Sequence, residues 1–476
     1  MPSPILTVAQ MRAWEQATWQ SGVSEQSVIA RVGELVATRA FQLTAPGARL
    51  LALAGKGHNG DDVRQSVLHL PGREIELLEI TDPTRQLPEL ARALAKHPVL
   101  IIDGLFGIGL NRPLDEDWKV FIDRINRSEV AVLAVDAPSG LNCESGKPEG
   151  NAIKAHITLT LGAIKQGLIM SSALPYVGQL ELIAEIGLTG RPPKSDLQWS
   201  LESDFEPALP ERNRDSHKGA FGHLVIVAGS LGYHGAAVLA ARGAQAGRPG
   251  LVTVVTTDEA YLPIAAQLQS AMVRPWASDW ELPDKTTAVL FGPGLADPSV
   301  PTGLRKQVVR WWREFRGPVI ADANALDWLL PMEATARGFR VVTPHPGEAA
   351  RMLRTEPALV QADRVTIARK LSQHLGNACV VLKGYQTLVG TGDGSLFVNT
   401  TGGPRLAQGG SGDVLAGFIG GLLAQAAWQR DPLLTVRHAV WRHGLAGDAA
   451  SWTGFIDDLP RELAQAPIAA NRGSWV

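Results

Sequence analysis

The ten residues from Gln408 to Gly417, QGGSGDVLAG, are the strongest candidate for chemistry in this chain. Three glycines and a serine precede Asp413, and an apolar run without proline follows from Val414 to Leu423. That run predicts a helix whose first N–H groups and partial positive charge face a phosphate. Asp413 would then take a proton from a hydroxyl that attacks phosphorus, or it would only cap the helix. This segment alone leaves both interpretations open.

A second glycine-rich loop, Gly55 to Asp62, directly follows the candidate strand Leu50–Ala54. Its glycines satisfy GxGxxG, but two acids follow where a dinucleotide-binding fold needs a helix start that faces pyrophosphate. The match to a dinucleotide motif is therefore weak.

Two more loops of the first half, Asp103 to Pro113 and Asp136 to Gly140, also follow candidate strands. Because the carboxyl ends of parallel strands meet at one edge of a sheet, polar side chains of the three loops should converge. These side chains are Asn59, Asp103, Asp136 and Ser139. Such oxygens suit a hard cation, and a carboxylate near a reacting carbon suits acid/base catalysis. Each acid considered alone would more often form a turn or a cap.

Short apolar runs alternate twice with Ala/Leu-rich stretches, a pattern typical of strand–helix–strand units around a largely parallel sheet. The first series of candidate strands is Leu50–Ala54, Glu74–Ile80, Val99–Asp103, Val130–Asp136 and Ile157–Leu161. The second is Leu224–Ala228, Leu251–Thr256, Ala288–Phe291, Val319–Ala321, Arg340–Thr343 and Cys379–Leu382, followed by a hairpin turning at Asp393-Gly394. At the N-terminus, Thr7 and Gln10 predict a capping box that opens a helix with a packing role.

The length of 476 residues allows two or three domains. The stretch from Thr189 to Asp215 has four prolines, mixed charges and little periodicity, so the domain boundary is placed there. We expect an α/β protein with two domains, residues 1–205 and 206–476.

The net charge of −2 gives no electrostatic reason to expect nucleic acid as a partner. Cys143 and Cys379 lie far apart in sequence, which argues against a disulfide framework and structural zinc and favours a reducing compartment. Neither a signal peptide nor an apolar run of about 18 residues is evident, so we expect a cytoplasmic protein that does not enter a membrane.

The second half resembles a known family through an ordered set of motifs from about Asn213 to Ala450. The motifs are HKGAFGH with AGS and GAA (217–237), GPG (292–294), DANAL (322–326), TPHPGE (343–348), KG (383–384) and the GGSGD loop. This half is similar to the ADP-dependent (S)-NAD(P)H-hydrate dehydratase domain of the bifunctional NAD(P)H-hydrate repair enzymes. The resemblance implies a ribokinase-like fold.

The resemblance implies a base for phosphorylation at Asp413 and hydrate-binding roles for Asp413, His345, Ala236 and Gly294. Phosphorylating the ring hydroxyl of the hydrate would create a leaving group whose elimination restores the dihydropyridine. The nucleotide would be held by Lys383, Gly384, Tyr385, Gln386, Thr387 and Gly412. Considered alone, His345 would more often be a turn residue bonded to backbone, and Lys383 a solvated residue at a strand end.

The first half, from about Thr7 to Gly187, resembles the epimerase domain of the same family, which implies a Rossmann-like three-layer αβα sandwich. By position, Asn59, Asp103 and Ser139 match the family's potassium ligands, and Asp136 matches its hydrate-binding acid. The resemblance also implies substrate-binding roles for His58, Asn59, Gly60, Asp61 and Asp62, and for Gly107, Ile108, Gly109, Leu110, Asn111, Arg112 and Pro113. Lys165 resembles a lysine near the epimerase pocket that would stabilise a negatively charged intermediate, or it is an exposed lysine.

The first glycine loop departs from the family pattern GxGNNGGDG at His58, Asp61 and Val63. Asp61 is the most serious change, since it places a negative charge where a phosphate-bearing ligand should approach. Arg31 is a hypothetical partner that would neutralise it. The first half is therefore a working epimerase, or a ligand-binding or interaction module that kept only the fold, as in scaffold proteins of mRNA decapping.

For the second half the rival function is an ordinary ribokinase-like small-molecule kinase. The bifunctional resemblance implies NADHX and NADPHX as substrates, ADP as phosphoryl donor, AMP and phosphate as products, and K⁺ as a cofactor. Mg²⁺ is expected on chemical grounds, because phosphoryl transfer needs charge neutralisation. No Mg²⁺ ligand can be named from the sequence. Epimerase and ribokinase-like domains commonly self-associate, so we expect a homo-oligomer.

Overall fold

The computed structural model describes residues 2–205, 215–329, 331 and 337–465. It divides into two compact units, Ser3–Leu197 and a second that begins at Gln198. Part of the predicted linker, residues 206–214, lies outside the described residues, so the domain limits 1–205 and 206–476 stay predictions. None of the described helices is long and apolar enough to cross a membrane.

The first unit is built around six parallel strands in the order β3-β2-β4-β5-β6-β8. Its strands are β1 (Ser3–Leu6), β2 (Arg49–Ala54), β3 (Glu74–Glu79), β4 (Leu100–Gly104), β5 (Ala131–Val135), β6 (Ile157–Leu161), β7 (Ile164–Lys165) and β8 (Gln179–Ile183). Its helices are α1 (Val8–Gln20), α2 (Glu25–Leu43), α3 (His58–Leu68), α4 (Pro83–Leu94), α5 (Glu116–Asn126) and α6 (Leu174–Val177). All five predicted strands are confirmed to within one residue at each end, whereas β1, β7 and β8 were not predicted.

Alternating residues of β2 face opposite sides of the sheet, as the period of two requires. Leu50 and Ala52 belong to the core on the side of α2, and Leu51 and Leu53 to the core on the side of α4 and α5. Helices therefore cover both faces, which confirms the three-layer arrangement. The strand order reverses between β2 and β4, and open α/β sheets bind ligands beside the carboxyl ends of strands at such a point.

The second unit holds seven parallel strands in the order β12-β11-β10-β13-β14-β15-β16, with β17 and β18 added antiparallel. Its strands are β10 (His223–Val227), β11 (Leu251–Thr256), β12 (Met272–Pro275), β13 (Ala288–Phe291), β14 (Val319–Ala321), β15 (Arg340–Val342), β16 (Cys379–Leu382), β17 (Leu388–Gly390) and β18 (Leu396–Val398), while β9 (Leu197–Trp199) lies at the boundary of the units. Its helices are α7 (His234–Ala246), α8 (Asp258–Ala265), α9 (Thr302–Glu314), α10 (Pro346–Leu353), α11 (Pro357–Ala362), α12 (Arg364–His374), α13 (Ser411–Leu423), α14 (Pro432–Asp448) and α15 (Leu459–Gln465). The predicted strands and the hairpin around Asp393-Gly394 are confirmed.

Helix α13 is the buried centre of the second unit, and every residue from Val414 to Leu423 is buried. Glycines let α13 approach α7 closely, because a Cβ added at Gly417 would lie 1.9 Å from the Ala240 carbonyl oxygen. The helix begins at Ser411, three residues before the apolar run from which we predicted it. Asp413 therefore lies inside its first turn.

The predicted capping box at the N-terminus is confirmed, since Thr7 Oγ1 accepts from the Gln10 N–H and Gln10 Oε1 from the Thr7 N–H. Met11 on α1 packs with Leu6 and Ala163. Arg12, Glu15 and Trp19, on a neighbouring face of the same helix, line a cavity, so α1 does more than pack.

Candidate active sites

A cavity of about 1090 Å³ lies within the first unit, against the point where the strand order reverses. Its walls come from α1, α2 and the loops that follow β2 and β4. Among the predicted site residues, the lining includes His58, Asn59, Asp62, Gly107, Ile108, Gly109, Leu110, Asn111, Arg112, Pro113, Asp136 and Lys165. Gly60 and Asp61 are outside the lining, and their part in substrate binding stays a prediction.

Lys165 and Asp136 form a buried ion pair in this cavity. The Lys165 side chain is 1% exposed, and its ammonium donates to Asp136 Oδ1, to Thr160 Oγ1 at 3.1 Å and to the Leu161 carbonyl oxygen at 2.7 Å. The alternative of an exposed lysine is therefore wrong. Three acceptors fix the ammonium beside the carboxylate, so both charges are held at one place on the cavity wall.

Asp103 and Ser139 form a buried cluster of oxygen atoms next to Asn59. Ser139 Oγ donates to Asp103 Oδ1 at 2.6 Å, and the Ser139 N–H donates to Asp103 Oδ2 at 2.9 Å. Burial raises the pKa of Asp103 to about 6, although the bonds from Ser139 oppose the shift. Asn59 Nδ2 donates to the Phe106 carbonyl oxygen at 2.9 Å, while Asn59 Oδ1 is buried without a partner among the described residues.

An unpaired amide oxygen beside a buried carboxylate and a hydroxyl is the donor set expected for a hard cation. The three residues predicted as potassium ligands are thus compatible with such an ion.

Asp62 is a buried acid that lines the same cavity. Burial, followed by repulsion from Asp136, Asp61 and Glu15, raises the pKa of Asp62 to about 8. Burial also raises the pKa of Glu15, which lines the cavity from α1 together with Arg12. Sequence reasoning missed Arg12 and Glu15. Their position on the polar face of an amphipathic helix was the available signal.

Asp61 is neutralised by Arg64 and not by Arg31, so the hypothesis of an Arg31–Asp61 pair is wrong. Arg64 Nη1 lies 2.7 Å from Asp61 Oδ1, one turn along the same helix, whereas Arg31 pairs with Glu34 on α2 at 3.3 Å. The pattern i, i+3 on a helix was the signal that could have identified Arg64.

Arg64 also forms hydrogen bonds that hold the glycine loop in place. Its guanidinium donates to the Gly55 carbonyl oxygen at 2.8 Å and to Glu79 at the end of β3. Val63, the last departure from the family loop, is fully buried in the core, where its methyl group would lie 2.3 Å from a Cβ added at Gly104. The departing segment is therefore well packed, and its residues from His58 onward form the start of α3.

In the second unit, the first turn of α13 places Asp413 close to several charges. The N-cap of α13 is Gly410, whose φ of +96° favours glycine, so Asp413 is not the N-cap residue. Burial raises the pKa of Asp413 to about 7, with repulsion from Asp322 and Glu348 adding to the shift and Lys383 opposing it. A carboxylate with this pKa accepts a proton readily near neutral pH.

Lys383 lies between two acids at the end of β16. Its ammonium is 2.9 Å from Asp322 Oδ1 and 3.7 Å from Glu348 Oε2, and Thr343 Oγ1 donates to Asp322 at 2.6 Å. Burial lowers the pKa of Lys383, but the two carboxylates outweigh that effect and the net shift is upward. The interpretation as a solvated lysine is therefore wrong.

Gly412 is the point where the GGSGD loop meets this lysine. A Cβ added at Gly412 would lie 3.1 Å from Lys383 Nζ, so a side chain there would crowd the ammonium. Asp322 and Glu348 belong to the DANAL and TPHPGE motifs, but the motifs do not indicate that both acids lie beside Lys383. Asp322 directly follows β14, a strand-end position that could have identified it.

His345 is the N-cap of α10, as expected of a histidine considered alone. Its Nδ1 accepts from the N–H groups of Gly347 at 3.0 Å and Glu348 at 3.3 Å. In the neutral ring Nε2 therefore carries the proton, and it lies 3.5 Å from Glu348 Oε1. The half-exposed ring can still donate to a ligand, so capping and binding are compatible.

The remaining predicted residues of this unit form two groups. Gly384, Tyr385, Gln386 and Thr387 make the loop after Lys383, where Thr387 Oγ1 donates to the Gly384 carbonyl oxygen at 2.9 Å. Gly294 and Ala236 are neighbours, since a Cβ added at Gly294 would lie 3.0 Å from the Cβ of Ala236. Their roles in binding stay predictions. The described residues contain no group of three or more His, Cys, Asp or Glu that could hold a metal ion.

Two family models match the chain. One, described as NAD(P)H-hydrate dehydratase, matches residues 224–467, and the other, described as YjeF-related protein N-terminus, matches residues 65–167. A ribokinase-like superfamily protein from Enterococcus faecalis has a similar structure, with a TM-score of 0.50 and 24% identity over 58% of this chain and 97% of its own. This structural likeness confirms the ribokinase-like fold of the second unit.

Curated relatives match nearly the whole chain. The bifunctional NAD(P)H-hydrate repair enzyme Nnr of Gloeobacter violaceus is 35% identical over 93% of this chain and 93% of its own length. The enzyme of the same name from Escherichia coli is 34% identical over 85% of this chain and 82% of its own length. The chain therefore belongs to the family of bifunctional NAD(P)H-hydrate repair enzymes.

Proposed function

We propose that the second unit removes water from the S form of hydrated NADH and NADPH at the expense of ADP. The observation that carries this proposal is the position of Asp413, half-buried in the first turn of a glycine-started helix and coupled electrostatically to Lys383. This arrangement supplies a base with a pKa near 7 beside a cation and helix N–H groups that suit a phosphate.

The reaction begins with the ring hydroxyl of the hydrate. Asp413 takes its proton while the oxygen attacks the terminal phosphorus of ADP, and AMP leaves with the electron pair of the broken P–O bond. The phosphate ester then leaves the ring carbon as inorganic phosphate with the C–O pair, and the neighbouring carbon loses a proton, which forms the ring double bond. NADH or NADPH, AMP and phosphate are the products.

Lys383 would stabilise the negative charge that develops on the transferred phosphoryl group. Its position between Asp322 and Glu348 keeps the ammonium charged and fixed beside Gly412. His345 and the Ala236–Gly294 pair would contact the hydrate, and residues 383–387 the nucleotide. Mg²⁺ belongs to the proposal on chemical grounds, because phosphoryl transfer requires charge neutralisation, and no residue is assigned to it.

The test is incubation of the full chain with (S)-NADH hydrate and ADP, with absorbance followed at the reduced-nicotinamide band. An Asp413→Asn variant should lose at least about two orders of magnitude in rate, as expected for removal of a general base. Asp393→Asn, in the exposed turn of the β17–β18 hairpin, is the matched control and should keep full activity. A wild-type chain without ADP-dependent dehydration would contradict the proposal.

For the first unit we propose epimerisation of the R and S hydrates in the cavity that contains Asp136 and Lys165. Asp136 would take the hydroxyl proton while the bond from the hydroxyl-bearing carbon to the ring nitrogen breaks, with its electron pair going to nitrogen. Lys165 would stabilise the negative charge of the ring-opened form, and ring closure on the other face, with the proton returned to oxygen, would give the other epimer. Asn59, Asp103 and Ser139 would hold the potassium ion, with the unpaired Oδ1 of Asn59 as the observation in its favour. A bound K⁺ would supply positive charge beneath the cavity.

Epimerisation can be followed in the full chain when dehydration is blocked by Asp413→Asn. Conversion of the R hydrate to the S hydrate, resolved by chromatography, would support a working epimerase. Its absence at high protein concentration would favour the rival, a module that keeps the fold and binds a ligand without chemistry. For the second unit, a product that stays phosphorylated would favour an ordinary ribokinase-like kinase.

The cytoplasm is the proposed location, and both cysteines are buried and unpaired, as a reducing compartment would allow. Self-association as a homo-oligomer also stays a proposal, which light scattering of the full chain would test.

A further inference from the structure

The loop after β16, residues 383–387, is shaped by an arginine that no sequence motif indicated. Arg364 is the first residue of α12, and its guanidinium reaches the Leu382 carbonyl oxygen at 3.0 Å and the Lys383 carbonyl oxygen at 3.3 Å. It also donates to the carbonyl oxygen of Tyr385. One side chain thus holds three of the four carbonyl groups from Leu382 to Tyr385 on the same side of the loop.

The peptide unit is planar and trans, so the carbonyl of one residue and the N–H of the next point in opposite directions. Carbonyls of Lys383 and Tyr385 that face Arg364 therefore turn the N–H groups of Gly384 and Gln386 away from it. Neither N–H is hydrogen-bonded to another described residue. Two unpaired N–H groups in one short turn form a concave surface suited to an anion.

The backbone conformation supports the same conclusion. Gly384 has a φ of +132°, and Gln386 has a φ of +52°, a left-handed conformation that a residue other than glycine rarely adopts without support. A Cβ added at Gly384 would lie 3.3 Å from an Arg364 guanidinium nitrogen, so the guanidinium closely contacts the turn. The bonds from Arg364 hold this conformation, together with the Thr387 hydroxyl that donates to the Gly384 carbonyl oxygen.

We infer that Arg364 is a positioning residue for the nucleotide: it holds the carbonyls of the loop on one side so that the N–H groups of Gly384 and Gln386 bind a phosphate of ADP on the other. This inference rests on the proposed function of the second unit. Arg364 acts through the loop and does not itself touch the nucleotide.

The experiment compares Arg364→Gln, Arg364→Lys and wild type as full chains. Arg364→Gln should raise the KM for ADP about tenfold or more while kcat and the KM for the hydrate change less than about threefold. Lysine is a point donor that cannot hold three carbonyls at once, so Arg364→Lys should be intermediate. Arg369→Gln is the matched control, because Arg369 lies on the same helix and donates to the Gly394 carbonyl oxygen of a distant turn.

Titration calorimetry with ADP alone should show the same order of affinities, and urea unfolding should show that each variant is folded. Unchanged ADP affinity in folded Arg364→Gln would overturn the inference, as would equal losses for ADP and hydrate. If Arg364→Gln does not fold, an ADP affinity of Arg364→Lys equal to wild type would overturn it. The proposed function would fail in a different way: the wild-type chain would bind ADP but would not dehydrate the hydrate.

Discussion

The ion pair between Asp61 and Arg64 should reduce the repulsion between the Asp61 carboxylate and a phosphate-bearing ligand of the first unit, and this effect can be tested. Asp61 lies in the first turn of α3, next to the glycine loop, and Arg64 binds its carboxylate at 2.7 Å. Arg64→Gln would leave the Asp61 charge unpaired. Asp61→Asn would remove that charge while keeping the size of the side chain.

The expected magnitude follows from Coulomb's law. Two negative charges roughly 8 Å apart repel by about 0.5 kcal/mol in water and by about 2 kcal/mol at an effective dielectric constant of 20. Asp61 is 44% exposed and Arg64 is 30% exposed, so the true value should lie between these limits. Arg64→Gln should therefore raise the KM for the hydrate about 2-fold to 30-fold.

The assay is epimerisation in full chains that carry Asp413→Asn, with Asp61→Asn and Arg64→Gln made singly and together. Asp61→Asn alone should change KM little, and in the double variant it should remove most of the effect of Arg64→Gln. Higher salt should shrink the effect of Arg64→Gln, because the repulsion is screened. Arg31→Gln, an exposed arginine paired with Glu34, is the matched control. An equal rise in KM with and without the Asp61 charge would refute this reasoning.

Because Asp413 must be deprotonated to act as a base and its pKa is raised to about 7, the dehydration rate should rise with pH through about 7; a flat profile would contradict the assignment. Lys165→Met should cost about 3 to 5 kcal/mol of unfolding free energy, since it leaves the buried Asp136 charge unpaired. Urea titration should show that adding Asp136→Asn recovers part of this loss, and no recovery would count against the ion pair. Asn59→Ala should raise the K⁺ concentration for half-maximal epimerisation about tenfold, or about 1.4 kcal/mol, whereas an unchanged K⁺ response would exclude Asn59 as a ligand.

The central strands of both units could be predicted because they are short apolar runs bounded by turn residues. Strands β1, β7 and β8 could not, because β7 has two residues and β1 and β8 contain polar or exposed positions. The predicted start of α13 was wrong by three residues, because the prediction relied on apolar residues at helical spacing. The first turn of the helix contains serine, glycine and aspartate, which give no such signal. Local composition therefore predicts where a helix or strand begins and ends only when its terminal residues are apolar and packed in the core.

The candidate site residues were predicted where a motif or a strand end marked them, as at Asp413, Lys383 and Asp136. Partners brought in by tertiary structure were not. Glu15 reaches the first cavity from a helix interpreted as packing, and Arg364 reaches the nucleotide loop from the start of α12. In both cases the side chain comes from an element whose own sequence is ordinary, so only the fold shows where the side chain lies.

The backbone at Asp136 has a φ of +65°, in the left-handed region that glycine adopts without steric strain. A conformation of this kind costs of order 1 kcal/mol or more. Glycine would relieve this strain, but it would leave the buried Lys165 ammonium without its carboxylate partner, and an unpaired buried charge costs about 3 to 5 kcal/mol. The strained backbone is therefore retained because it places a carboxylate beside Lys165, and a library selected for thermal stability should keep Asp136 unless Lys165 is replaced as well.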